Sequence, residues 1–140
     1  MRQRVVLLTR PTAKQNYVAR YGTEGQTKFM LKQSFRGQMD LEKAEVEDTA
    51  QSRAVARIRQ AVSSEIKLVE IDRGMVAQFL FEPHDLVVAV GQDGLVANVA
   101  KYLEGQPLAG VNPDPSTIDG ALLAFSVDSF ITALPQLLTD

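Results

Sequence analysis

The feature that most constrains the fold is the apolar run from Leu86 to Val90, in which apolar and polar residues do not alternate. A strand with one face in water alternates, so a strand without alternation is typical of a parallel sheet covered by helices on both faces. Similar short runs occur at Arg4 to Leu8, Lys67 to Ile71 and Leu108 to Val111, with helical patterns between them. This order predicts an α/β fold with a three-layer, doubly wound and mainly parallel sheet.

Four helices are predicted around these strands. A capping-box pattern at Thr23 to Gln26 opens the first. The second, Leu41 to Ser63, has an apolar stripe in its second half and a polar first half that we expect to be solvated. Gly94 to Leu103 follows the third strand, and Ser126 is a candidate cap for a last helix from Val127 to Leu138.

A glycine-rich turn, Gly91-Gln92-Asp93-Gly94, directly follows the third strand. Its glycines allow a ligand to approach the backbone closely, and we expect them in conformations that other residues adopt only at a cost. The next helix directs free N–H groups and a partial positive charge at the same place, which predicts a phosphate-binding site. Asp93 is the candidate for holding Mg²⁺ or accepting a proton, and simple capping of the helix is the alternative interpretation.

Other candidate residues follow from the geometry of open parallel sheets, whose ligands bind beyond the carboxyl ends of the strands. By this rule three loops converge: Thr9 to Thr12, Gly91 to Gly94, and Asn112 to Ser116. Arg10 lies in the first loop and is a candidate for binding an anion, with a solvated surface arginine as the alternative. Asn112 begins the third loop, although turn formation explains it equally well.

Composition and missing motifs exclude several classes of protein. The formal net charge is only -2 and no basic patch is seen, so no nucleic-acid partner is expected. The absence of cysteine excludes disulfides and thiolate chemistry. The apolar part of the start, Met1 to Leu8, is too short for a signal peptide or a membrane span, so we expect a cytoplasmic protein without a membrane partner. Neither a P-loop nor a conventional dinucleotide-binding fingerprint occurs.

The stretch from Asp85 to Phe125 resembles the amino-terminal domain of NAD kinases, whose superfamily includes diacylglycerol kinases, sphingosine kinases and phosphofructokinases. The resemblance rests on Gly91-Gln92-Asp93-Gly94 after a strand and on Pro107 to Asn112 after the next helix. The hallmark of the family is Gly-Gly-Asp-Gly-Thr followed by a helix, then a short strand ending in a Gly-Ile-Asn-like turn. The earlier strands match the family only in pattern.

The resemblance implies ATP-dependent phosphorylation of NAD to NADP, with Mg²⁺ as the cofactor ion. It implies that Asp93 contacts the adenosine ribose of NAD and activates the hydroxyl that accepts phosphate. Gly91 and Gly94 match the motif glycines, whereas Gln92 replaces the second glycine and Leu95 replaces the threonine, which removes a hydroxyl. No residue is assigned as a metal ligand. The candidate nucleotide-binding residues are Gly91, Gln92, Gly94, Leu95, Arg10 and Asn112.

Enzymes of this family carry a second, mostly β domain with an Asn-Glu motif, which these 140 residues do not contain. We therefore expect residues 1–140 to be a single α/β nucleotide-binding domain and a fragment, which folds alone but is inactive. An uncovered apolar surface around Ala121 to Phe125 or on the last helix predicts a homo-oligomer. Two alternatives stay open: a non-catalytic nucleotide-binding module, and a superfamily kinase acting on a sugar or lipid hydroxyl. The phosphoryl donor, ATP or polyphosphate, also stays open.

Overall fold

The structure is a computed structural model that describes residues 2–139. These residues group into two compact units. The sheet unit contains the residues up to Arg10 and those from Arg53 onward, and the helical unit is Pro11–Ser52.

The sheet unit is built on parallel strands. They are β1 (Arg4–Thr9), β2 (Lys67–Asp72), β3 (Asp85–Val90), β4 (Leu108–Asn112) and β5 (Phe125–Ser126). Among the residues described, these strands form one five-stranded sheet in the order β2-β1-β3-β4-β5, and every neighbouring pair is parallel. Because β2 and β3 lie on opposite sides of β1, the direction of winding reverses between β1 and β3. Ligands of such sheets bind beyond the carboxyl ends of the strands at this kind of reversal.

The helices differ in part from those expected. In chain order they are α1 (Ala13–Tyr21), α2 (Glu24–Leu31), α3 (Phe35–Ala61), α4 (Asp93–Ala100) and α5 (Val127–Leu138). The connection from β2 to β3 contains only a 3₁₀ helix, Arg73–Gln78, rather than the α-helical pattern expected there. The last helix has the predicted bounds, with Ser126 accepting a hydrogen bond from the backbone N–H of Ser129 as its cap.

Two apolar cores lie on opposite faces of the sheet. Val5 and Leu7 of β1 belong to one core, whereas Val6 and Leu8 belong to the other. The first core also contains the end of α3 and the buried face of α5: Ala54, Val55, Ile58, Val127, Phe130, Leu134 and Leu138. The second contains Val76 of the 3₁₀ helix and three residues of α4: Leu95, Val96 and Val99. The alternation along β1 therefore gives a helix–sheet–helix sandwich, which confirms the predicted three-layer α/β class.

The helical unit contains one helix that the sequence analysis missed. α1 begins with a capping box in which Thr12 and Gln15 exchange hydrogen bonds with each other's backbone N–H groups. The polar first half of α3 supports this start, since Asp48 accepts a bond from the Thr12 hydroxyl (2.7 Å) and Glu47 accepts one from the backbone N–H of Ala13 (2.9 Å). Two carboxylates in the half of α3 that was expected to be solvated therefore also stabilise the start of α1.

Large apolar side chains are exposed in both units. They are Phe29, Met30, Phe35, Met39, Val46, Met75, Leu80, Tyr102 and Leu122. Leu122 lies in the segment where an uncovered apolar surface was expected, and half of it is exposed. The other expected location was wrong, because the apolar face of α5 is packed in the first core. Between residues 2 and 139, no helix combines the length and the apolar character needed to cross a bilayer.

Candidate functional site

The predicted glycine-rich turn lies at the carboxyl edge of the sheet. Strands β1, β3 and β4 are adjacent, so the loops after them begin side by side, as predicted. Gly91 is buried, and its N–H donates to the carbonyl of Val111 in β4 (3.2 Å). Its φ is +156°, and a Cβ atom there would lie 3.3 Å from Cδ2 of Leu95. Glycine is therefore favoured at this position by both backbone conformation and space.

Gly94 has a different environment from Gly91. It lies in the first turn of α4 without a positive φ, so the expectation of an unusual backbone conformation was wrong at this position. A Cβ atom at Gly94 would meet no protein atom within 4 Å, and the residue is exposed. Gln92 precedes α4 as its N-cap, is also exposed, and makes no side-chain capping bond. The start of α4 therefore has an open surface.

Leu95 is oriented into the protein rather than towards this open surface. Only 1% of the residue is exposed, and it packs in the second core with Val6, Leu8 and Val99. Its backbone N–H donates to the carbonyl of Gln92 (3.0 Å). Among the candidate nucleotide-binding residues, Leu95 is thus held by the core, and its apolar character is explained by packing.

Asp93 has a structural role that the sequence analysis did not anticipate. Its two carboxylate oxygens accept hydrogen bonds from consecutive backbone N–H groups, those of Ala121 (3.0 Å) and Leu122 (2.9 Å). The residue is half-buried, and α4 begins with it. Since a carboxylate can accept about four hydrogen bonds, these two leave room for others. Asp93 thus joins the start of α4 to the chain between β4 and β5.

Two glycines allow that chain to pass close to its neighbours. A Cβ atom at Gly120 would lie 2.7 Å from Oδ1 of Asp93 and 2.7 Å from Cδ1 of Leu123. A Cβ atom at Gly110, in β4, would lie 2.5 Å from the carbonyl oxygen of Leu122. These distances are shorter than non-bonded atoms tolerate. At Gly110 the neighbouring atom belongs to the backbone, so glycine is required for steric reasons, whereas a Cβ atom at Gly120 would force the side chains of Asp93 or Leu123 to shift.

Asn112 and the residues after it form a closed turn. The Asn112 side chain donates from Nδ2 to the carbonyl of Ile118 (2.9 Å), and its Oδ1 accepts from the backbone N–H of Asp114 (2.9 Å). Asp114 in turn accepts bonds from the hydroxyls of Ser116 (2.6 Å) and Thr117 (2.8 Å). These hydroxyls, Ser116 first, lower the pKa of the Asp114 carboxyl. The amide of Asn112 is therefore engaged in shaping the loop, in agreement with the alternative interpretation.

Arg10 directly follows β1 and is exposed. It belongs to the sheet unit, at the carboxyl end of the strand that neighbours β3. An exposed guanidinium at this edge adds positive charge on the side of the sheet where α4 begins.

The donor atoms do not form a protein-built Mg²⁺ site. In the described part of the chain, no three histidine, aspartate or glutamate side chains lie close enough together to hold a metal ion. The carboxylate within the turn, that of Asp93, already accepts hydrogen bonds from two backbone N–H groups. The residues therefore do not fit a dedicated Mg²⁺ cage.

A concave surface lies in the helical unit. It is an open groove of about 510 Å³, lined by Lys28, Lys32, Gln38, Leu41, Glu42 and Glu45. Cations and carboxylates occur together in this lining, and Nζ of Lys28 also lies 3.9 Å from Oε1 of Glu24. None of the candidate residues from the sequence lines this groove.

Comparison of the chain with models of known protein families gives no match, and comparison with curated proteins gives none at a significant level either. We therefore infer function from the turn, the strand order and the hydrogen bonds described above.

Proposed function

We propose that the Gly91–Gly94 turn binds a nucleotide phosphate and that the chain is the nucleotide-binding domain of an ATP-dependent NAD kinase-like phosphotransferase. The observation that carries the proposal is the position of the turn. It connects β3 to α4 at the edge where the winding of the sheet reverses, and the space around Gly94 is empty. NAD is proposed as the acceptor because the stretch from Asp85 to Phe125 resembles NAD kinases.

In this proposal each candidate residue has a separate task. Gly94 allows a phosphate to approach the N–H groups at the start of α4, which favour anions. Arg10 adds a positive charge at the same edge. Asp93 accepts the proton of the attacking hydroxyl through lone pairs that Ala121 and Leu122 do not use. Mg²⁺ usually keeps several water ligands and binds through one or two carboxylates together with substrate phosphates, and we assign it no step on this chain.

The test uses two glycine substitutions of the same kind. Gly94→Ala adds a methyl group where the ligand should approach, and this methyl meets no protein atom within 4 Å. Gly25→Ala is the matched control, because Gly25 is also an exposed helical glycine with nothing within 4 Å. Each change should leave the free energy of unfolding the same or raise it by about 0.5–1 kcal/mol, since alanine favours helices.

Binding of NAD and of ATP to the 140-residue chain is then measured by titration calorimetry. We expect Gly94→Ala to weaken binding by about tenfold or more, equivalent to about 1.4 kcal/mol, while Gly25→Ala binds like the wild type. Wild-type affinity in Gly94→Ala, or no nucleotide binding by the wild type, would contradict the proposal.

A non-catalytic nucleotide-binding module is the second candidate. It is favoured by the hydrogen bonds that already engage both oxygens of Asp93. A kinase has to hold donor and acceptor together, so ATP should still bind when NAD is saturating. A module with one nucleotide site should instead show mutual displacement of ATP and NAD. Calorimetric titration of ATP with and without NAD distinguishes the two functions.

A further inference from the structure

We propose that Asp93 is also a positioning residue, which fastens the segment between β4 and β5 and so shapes one wall of the nucleotide site. The segment comprises residues 113–124 and is called the β4–β5 segment here. This inference rests on the proposed function, since the wall matters only if a nucleotide binds at the Gly91–Gly94 turn.

The contact between Asp93 and the β4–β5 segment uses both oxygens of the carboxylate. One carboxylate receives two N–H groups from neighbouring residues, Ala121 and Leu122, so each oxygen holds one donor. Hydrogen bonds to a charged acceptor are stronger than those between neutral groups. Two such bonds to adjacent residues fix both the distance and the direction of the segment relative to α4.

The β4–β5 segment also packs closely against its neighbours. Gly120 has no room for a Cβ atom beside Oδ1 of Asp93, and Gly110 has none beside the carbonyl of Leu122. The backbone at Leu122 can therefore lie against β4 only because Gly110 lacks a side chain, and a Cβ atom at Gly120 would displace the Asp93 carboxylate or the side chain of Leu123. Close approach at both Gly110 and Gly120 indicates that the hydrogen bonds to Asp93 depend on the position of the segment's backbone.

Other contacts hold the segment on either side of Ala121 and Leu122. Near β4 it is fixed by the bond from Asn112 to the carbonyl of Ile118 (2.9 Å). Beyond that point the side chain of Leu123 is partly buried against the second core. Ala121 and Leu122 are exposed. Between Ile118 and Leu123, the carboxylate of Asp93 thus anchors the backbone to α4.

The experiment separates an effect through the segment from a direct effect of the carboxylate on the ligand. Asp93→Asn replaces one acceptor oxygen with an NH₂ group, which cannot accept a bond from a backbone N–H. Gly120→Ala keeps the carboxylate but forces the segment or Asp93 to move. Ala121→Pro also keeps the carboxylate and removes a single donor, and it serves if Gly120→Ala does not fold. Gly25→Ala is the control.

Hydrogen exchange of the Ala121 and Leu122 amides is measured by NMR, and NAD affinity is measured on the same samples. We expect the exchange of at least one amide to become about tenfold faster in Asp93→Asn and Gly120→Ala. We also expect NAD to bind about fivefold more weakly, or worse, to each of these variants and to Ala121→Pro. The control should match the wild type in both measurements.

Three results would overturn the inference. Unchanged exchange in Asp93→Asn would show that the carboxylate does not hold the segment. Faster exchange in both variants with weaker NAD binding only in Asp93→Asn would show that Asp93 acts on the ligand directly and not through the segment. No NAD binding by the wild type would overturn the proposed function together with this inference, whereas the first two results leave the proposed function intact.

Discussion

Arg4 and Asp85 face each other at the amino ends of β1 and β3 and form an ion pair through two hydrogen bonds. Nε and Nη2 of Arg4 each lie 2.7 Å from one carboxylate oxygen of Asp85. Asp85 is fully buried and also accepts the backbone N–H of Glu82 (2.7 Å). The hydrogen bond to Asp85 raises the pKa of Arg4, although burial opposes this effect. The pair therefore ties β1 to β3 at the edge opposite the candidate site.

Replacement of Arg4 by methionine is expected to lower the free energy of unfolding by about 3–5 kcal/mol, because it leaves the carboxylate of Asp85 buried without a cation. Methionine keeps much of the aliphatic stem, so the loss reports mainly on the charge. Urea unfolding followed by circular dichroism measures it.

Arg59 supplies the matched control. It also makes two hydrogen bonds to one carboxylate, that of Glu70, at 2.7 and 2.6 Å. Its side chain is 52% exposed and that of Glu70 is 39% exposed, so water screens this pair. Arg59→Met should therefore cost less than about 1 kcal/mol. Equal losses in the two variants would show that burial of Asp85 does not determine the effect.

The loop after β4 should show a pH dependence that comes from Asp114. The hydroxyls of Ser116 and Thr117 lower the pKa of its carboxyl in the folded chain. A lowered folded pKa stabilises the fold at pH values above the unfolded pKa, about 3.9 for aspartate. This contribution is lost as the pH falls below that value and through the folded pKa. In the Ser116→Ala, Thr117→Val double variant, an NMR titration should give a higher Asp114 pKa, and an unchanged titration would contradict this assignment.

The strands were predictable because the apolar pattern that identifies each one lies within its own short run of residues. Runs such as Leu86 to Val90 lack alternation, and burial of both faces of β3 explains why. Ser126 could be identified as a cap because serine is strongly preferred at the position before the first turn of a helix. The α1 capping box, Thr12 with Gln15, was an equally local signal, but the sequence analysis did not identify it.

The contacts of Asp93 could not be predicted in the same way. Its partners, Ala121 and Leu122, donate from the backbone. The residue types at these two positions therefore do not indicate that the bonds exist. The steric requirement at Gly120 also depends on a residue distant in the chain. A motif shows which residue types are adjacent in sequence, whereas the use of a carboxylate depends on which backbone the fold brings to it.

The 140-residue chain is expected to bind nucleotide without forming NADP from NAD and ATP. Phosphoryl transfer requires donor and acceptor to be aligned, and positioning alone can contribute about 7–11 kcal/mol. The described candidate residues follow neighbouring strands at one edge of a sheet, and we expect alignment of donor and acceptor to need groups beyond these residues. An enzymatic assay for NADP in the presence of Mg²⁺ tests this expectation, and robust turnover would contradict it.

Two substitutions that introduce residues of the NAD kinase hallmark should differ in the size of their effect on stability. Leu95→Thr places a shorter, polar side chain in the second core, where Leu95 is 1% exposed. We expect a loss of about 2–5 kcal/mol in the free energy of unfolding, as for other large-to-small core changes, with an added cost for a buried hydroxyl. Gln92→Gly changes an exposed N-cap without a side-chain bond and should cost about 0.5 kcal/mol or less.

The effect of Leu95→Thr on affinity follows from the orientation of the side chain. Because Leu95 contacts the core, a threonine hydroxyl at this position should not reach a phosphate at the start of α4, and NAD affinity should not rise. Urea unfolding and NAD titration of both variants check this. If Leu95→Thr bound NAD more tightly at unchanged stability, position 95 would face the ligand, and the separation between the second core and the open surface at Gly94 would be wrong.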